Sequence, residues 1–183
     1  MISATALLIT GTEHRAHANS TTTIINIASG LCVEVAPPIN DPFNFFLTGL
    51  SVLQSTCNGS DEQIWDIKLV NIREVNHQNR LTYHIVNRRS GMCMDLTEGN
   101  NAPGTPIQQW TCGASTTMEW LVPTSGTDPR LYNVRSLLVT PFTQRDRCLD
   151  IRAGSLQVGA VVQNALCTSD LSNLSQQFEY TPP

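Results

Sequence analysis

The sequence predicts an all-β domain made of three similar units around one axis. Three observations predict it: a cysteine-anchored motif recurs three times in order, a large aromatic closes each recurrence, and the composition favours short strands and turns. Thr, Ser, Asn and Gln are abundant, Lys is nearly absent, and 11 Gly and 10 Pro punctuate the chain. At 183 residues the chain is long enough for one domain with a real core.

The units are read in chain order. Residues 1–23 precede the first and are assigned to an N-terminal arm or the remnant of a targeting segment. Met1–Thr10 is mildly apolar and Ala16-His17-Ala18 has the small-x-small form of a cleavage site. However, no basic region precedes it and Glu13, His14 and Arg15 interrupt the approach, which favours an arm over a signal segment at 1–18. His14 and His17 form an H-x-x-H pair without the further ligands a metal site needs. The domain proper is placed at 24–183.

Unit one (24–70) runs through Asn26, Ser29-Gly30, Cys32-Val33-Glu34-Val35, Cys57 and Gln63-Ile64-Trp65. Unit two (83–122) runs through Asn87, Ser90-Gly91, Cys93-Met94-Asp95-Leu96, Cys112 and Met118-Glu119-Trp120. Unit three (132–180) runs through Cys148-Leu149-Asp150-Ile151, Cys167 and Gln176-Gln177-Phe178. In each, a strand ends in a turn, and a C-x-acidic-apolar strand follows whose alternation turns the cysteine and the acid to one face. A Gly/Pro/Asn loop and a further strand then carry the second cysteine. Trp65, Trp120 and Phe178 suit a shared core, because no unit could bury its apolar face alone.

The repeat selects one cysteine pairing among those that six cysteines allow: Cys32–Cys57, Cys93–Cys112 and Cys148–Cys167, each within its unit. Loops of this size stabilise by about 3 kcal/mol each in the chain-entropy model. Six cysteines with no C-x-x-C pair point to an oxidising, extracellular setting rather than to zinc or redox chemistry. Charged residues make up 14% of the chain, the net charge is −4 and no basic run occurs, which argues against nucleic acid as a partner. No apolar stretch approaches the length of a membrane span. The three N-x-S/T sequons at Asn19, Asn58 and Asn173 are about what this composition produces by chance.

The pattern I-x-N-x-x-S-G-x-C-x-D, then Q-x-x-C, then a terminal Q-x-W, resembles the ricin-type β-trefoil lectins over residues 24–180. The fullest match is Ile85, Asn87, Ser90, Gly91, Cys93, Asp95, Gln108, Trp110, Cys112 and Trp120 in unit two. The resemblance implies a β-trefoil that binds carbohydrate without catalysing a reaction, with Asp95, Gln108 and Trp110 matching the carboxylate, amide and stacking aromatic that contact sugar. The chemistry suits that role. A carboxylate accepts two hydroxyl hydrogen bonds, an amide both donates and accepts, and an indole covers a sugar's C–H face. Thr117 stands where the family carries Asn, which leaves a galactose preference open. Asp150 and Gln163 repeat the 13-residue spacing of Asp95 and Gln108, but the aromatic position is Ala165, so unit three is a poorer second site.

Each of these residues has a structural alternative. Trp110 replaces Ser55 and Ala165 of the other units, so it is read as peripheral and added for binding, or else as a cover for its own loop. Asp95 and Asp150 could instead brace the loop that follows, and for Glu34 bracing is the favoured reading. Unit one is degenerate for sugar and carries a longer loop with Phe43, Phe45 and Phe46. This is either an internal plug or, slightly favoured, a contact for another protein. No nucleophile–base pair or cofactor motif is present, so neither an enzyme nor a cofactor is expected. The alternative to a free-standing lectin is a non-catalytic cell-binding or scaffold subunit of a toxin or secreted enzyme, docked to a partner protein.

Overall fold

In the computed structural model, residues 19–183 are described except 40, 42–43, 76, 123–127, 134–145 and 169–170. The N-terminal segment 1–18, with its histidine pair, and Phe43 lie outside them. The described residues form twelve strands, four per unit, with no α-helix. Unit one supplies β1 (Ser20–Asn26), β2 (Cys32–Val35), β3 (Val52–Ser55) and β4 (Ile64–Val75). Unit two supplies β5 (Gln78–Asn87), β6 (Cys93–Leu96), β7 (Thr105–Trp110) and β8 (Trp120–Leu121). Unit three supplies β9 (Tyr132–Asn133), β10 (Arg147–Ile151), β11 (Val162–Leu166) and β12 (Phe178–Thr181).

The first and last strands of the units pair as barrel staves: β1 with β4, β4 with β5, β5 with β8, β8 with β9, and β12 back onto β1. The inner strands form three antiparallel hairpins in one shared register. Cys32 faces Ser55, Cys93 faces Trp110 and Cys148 faces Ala165; Glu34, Asp95 and Asp150 face Leu53, Gln108 and Gln163. This is a β-trefoil. The disulfides join Cys32 to Cys57, Cys93 to Cys112 and Cys148 to Cys167, each within its unit.

Alternation along these strands sends one apolar set from every unit inward. Val33, Met94 and Leu149, Val35, Leu96 and Ile151, and Val52, Ile107 and Val162 all enter one core with Trp65, Trp120 and Phe178. Each such side chain contributes roughly 1.5–3 kcal/mol by burial. The two buried indoles donate N–H bonds to the carbonyls of Val33 (2.9 Å) and Met94 (3.2 Å), so their polar atoms are satisfied.

Polar side chains lock the units to one another. Asn26 donates to the carbonyls of Ser175 and Gln177 of unit three, Asn87 to Glu62 of unit one, and Asn133 to Thr117 of unit two. Gln54 clasps the Ser155 and Gln157 carbonyls of unit three, and Gln109 clasps those of Phe45 and Leu47 of unit one.

Three expectations shift. Ser20–Thr23, assigned to the arm, lie in β1 and pair with Ile64–Ile67, because the Thr-rich run continues the strand outward from Ile24. The join between units one and two is a long hairpin: Asn71–Val75 pair with Gln78–Thr82, beyond the limits of 70 and 83 read from the repeat. The Phe-rich loop divides. Phe45 is 9% exposed and belongs to the core, a plug rather than the favoured contact, whereas Phe46 is 60% exposed.

Candidate functional site

The β6–β7 hairpin sets Asp95 opposite Gln108, and the period of two puts Trp110 on the same face as Gln108. Gln108 Nε2 donates to Asp95 Oδ2 over 3.1 Å. The other carboxylate oxygen, Asp95 Oδ1, is buried and has no partner, although the residue is only 5% exposed. An acceptor in that state costs on the order of 1–3 kcal/mol. Trp110 is 43% exposed, whereas Trp65 and Trp120 are fully buried.

Thr117, expected to stand in for an asparagine, sits deeper than that role requires. It is 3% exposed, and its hydroxyl is paired with the Ser115 hydroxyl at 2.7 Å. A Cβ on Gly99 would lie 3.8 Å from Thr117 Cγ2, so Thr117 backs the turn Thr97–Gly99 that follows Asp95.

Unit three repeats the frame with every acceptor filled. Gln163 Nε2 donates to Asp150 Oδ2 (2.8 Å) and the Ser175 hydroxyl to Asp150 Oδ1 (2.7 Å). Arg152 in turn donates to Gln163 Oε1 and to the Gly104 carbonyl, both at 3.1 Å. Burial pushes the Asp150 carboxyl above its ordinary range, and the hydrogen bonds from Ser175, Gln163 and Gln176 only partly counter it. In unit one Glu34 accepts from Gln63 (2.6 Å), which also donates to the Thr56 carbonyl and accepts from Asn58 N–H. The carboxylate thus holds the second-cysteine segment through a side chain, rather than the loop after β2 that it was expected to brace. Gln176 holds the second-cysteine loop of unit three the same way, through Leu166 and Thr168. In unit two Met118 fills that position and packs on Val86 and Cys93.

His84 stands with Cys93 and Cys112, their ligand atoms within 4.8 Å of one another, but the two sulfurs are bonded to each other and offer no thiolate to a metal. No helix among the described residues is long and apolar enough to cross a membrane.

Fold and hairpin chemistry together describe a lectin-type trefoil. The chain matches the ricin-type beta-trefoil lectin domain-like family over residues 13–110 and again over 74–165, and it belongs to that family. Domains of this kind are typically carbohydrate-binding modules without catalysis. No sequence among curated proteins matches the chain. Among solved structures it is similar to the designed 3-fold symmetric protein ThreeFoil, at 20% identity and a TM-score of 0.68 over 89% of this chain and 99% of that one. It is similar also to the Macrolepiota procera ricin B-like lectin in complex with lactose, at 15% identity and a TM-score of 0.63 over 92% and 99%. A mosquitocidal holotoxin matches at 16% identity and a TM-score of 0.64 over 92% of this chain, which spans only 18% of the toxin's length. At these identities the likeness shows the fold.

The repeat spacing made Asp95, Gln108 and Trp110 readable in the sequence. It did not reveal Gly49, whose loop reaches this hairpin from unit one; its signal was equivalence with Gly104 and Gly159.

Proposed function

We propose that the protein is a secreted, non-catalytic carbohydrate-binding module with one competent site, in unit two. Asp95 and Gln108 take adjacent sugar hydroxyls, Trp110 covers the C–H face, and Thr117 supports the turn behind them. The observation that carries this reading is the buried, unpartnered Oδ1 of Asp95 beside an exposed indole. Ser175, Gln163 and Arg152 fill the acceptors at the equivalent place in unit three, and Ala165 leaves no ring to stack on, so Asp150 and Gln163 make at most a residual site. The lactose complex of the Macrolepiota procera lectin supports a galactose-type ligand.

A shallow site with few contacts binds weakly, at roughly micromolar to millimolar Kd. The test is an immobilised-glycan array probed with the wild-type chain and Trp110→Ala. Binding to a defined set of glycans that vanishes in the variant supports the proposal; equal binding by both sinks it.

A second reading, a cell-binding subunit of a larger toxin or enzyme, is favoured by the similarity to the holotoxin and by the exposure of Phe46. In that case the protein recovered from its native source would carry a catalytic chain in stoichiometric amount.

A further inference from the structure

The sugar-binding reading places its contacts on one hairpin, but a second unit touches them. The loop of unit one that precedes β3 is stitched along β7. Gly49 N–H donates to the Gln109 carbonyl and Gln109 N–H to the Leu50 carbonyl, each at 2.9 Å, and Ser51 bridges to Gln108. Beneath, the Gln109 amide donates to the carbonyls of Phe45 and Leu47, each at 2.7 Å. These bonds fix Gly49 beside the site. A Cβ built there would lie 3.8 Å from Trp110 Cζ3 and 3.9 Å from Gln108 Oε1.

The three-fold repeat supplies a control within the molecule. Gly104 and Gly159 occupy the same place in units two and three. Their N–H groups make the same bond, to Asn164 and Gln54, at φ of +88° and +84° against +80° at Gly49. Around those two glycines a Cβ would meet nothing within 4 Å. Backbone strain from a side chain is therefore shared by all three positions, whereas contact with an indole and an amide belongs to Gly49 alone.

We propose that the binding site of unit two is composite, with Gly49 of unit one forming the wall beside the Trp110 ring edge and the Gln108 amide and keeping that space free of side chain. This rests on the sugar-binding reading and adds a wall to it. A Cβ at 49 would sit in ordinary van der Waals contact with the ring edge and the amide oxygen, whereas a longer side chain would occupy the space beside the two groups that stacking and hydrogen bonding use together.

Gly49→Ala, Gly104→Ala and Gly159→Ala are compared by melting temperature, by sugar affinity and by the NMR resonance of the Trp110 indole N–H. Gly49→Asn serves as a further variant that tolerates positive φ. All three alanine variants should lose stability to a similar degree. Only Gly49→Asn, whose side chain runs past the Cβ, should weaken binding, by fivefold or more, and shift the Trp110 resonance; the three alanine variants should bind alike. An affinity of Gly49→Asn within twofold of the wild-type chain, or an unmoved Trp110 resonance in that variant, would overturn the proposal. Failure of the wild-type chain to bind any glycan would sink the lectin reading instead, and the Trp110 resonance would still report whether a side chain at 49 reaches the ring.

Discussion

Asp95 and Asp150 occupy the same place in two copies of one unit, and each copy carries a hydroxyl three residues before its closing aromatic; what that hydroxyl bonds to decides their difference. Ser175 reaches Asp150 Oδ1, whereas Thr117 at the equivalent position turns to Ser115 and leaves Asp95 Oδ1 without a donor. Replacing each carboxylate by an amide separates the two. Asp95→Asn should weaken glycan binding by about ten- to a hundredfold, the value of a charge-assisted hydrogen bond. Asp150→Asn should leave it within twofold, as read by titration calorimetry. Trp110 offers an independent readout, since the other two tryptophans are buried. Bound sugar should protect the accessible fraction of fluorescence from acrylamide quenching, and Trp110→Ala should abolish both the protection and the quenchable fraction without lowering the melting temperature. At this scale the sequence was legible where chemistry depends on spacing within one hairpin. It was silent where it depends on a neighbouring unit: the approach of Gly49 to Trp110 is written in no local pattern.

Among the elements, the β4–β5 hairpin departs furthest from the three-fold pattern, and one ion pair between a partly exposed arginine and a buried carboxylate ties it down. Arg73 of β4 donates through two nitrogens to the Glu119 carboxylate, which also accepts from the Thr82 hydroxyl of β5. Burial raises the Glu119 carboxyl, but the hydrogen bonds from Arg73 and Thr82 and the charges of Arg73 and His84 together outweigh it and hold the group below its ordinary value of 4.5. A carboxyl depressed in the folded state stabilises above its unfolded pKa and loses that contribution as pH falls through the folded one. The melting temperature should therefore decline as pH drops below 4.5, and Glu119→Gln should flatten part of that decline. Arg73→Ala, which leaves Glu119 with the Thr82 hydroxyl alone, should cost about 1–3 kcal/mol in denaturant melts, the range for a hydrogen bond to a charged group. Three like units around one core were foreseeable because the cysteines and the closing aromatic mark each of them. The hairpin extension was not, since Asn71–Val75 and Gln78–Thr82 match nothing in the other units.

Over the whole molecule, the contacts between units matter as much as those within them. Asn26, Asn87 and Asn133 each hold the closing segment of another unit, so Asn87→Ala should destabilise the entire trefoil in one cooperative transition, by roughly 1–3 kcal/mol, with no separate melting of unit two. The asparagines of units one and two could be picked out from the repeated N-x-x-S-G motif, but their partners could not, because each lies in a different unit. With one competent site per chain, calorimetry should return a single sugar per molecule, and avidity would need clustered glycans or linked modules. The pairing of β1 with β12, in which Thr23 lies opposite Thr181, has one more consequence. The first and last strands of the trefoil are neighbours, so its order along the chain is a convention that the barrel itself does not enforce. A short linker from residue 183 to Asn19, with new termini opened between Gly59 and Ser60 in an exposed turn, should give a circular permutant that keeps all three disulfides and the Asp95–Gln108–Trp110 face intact.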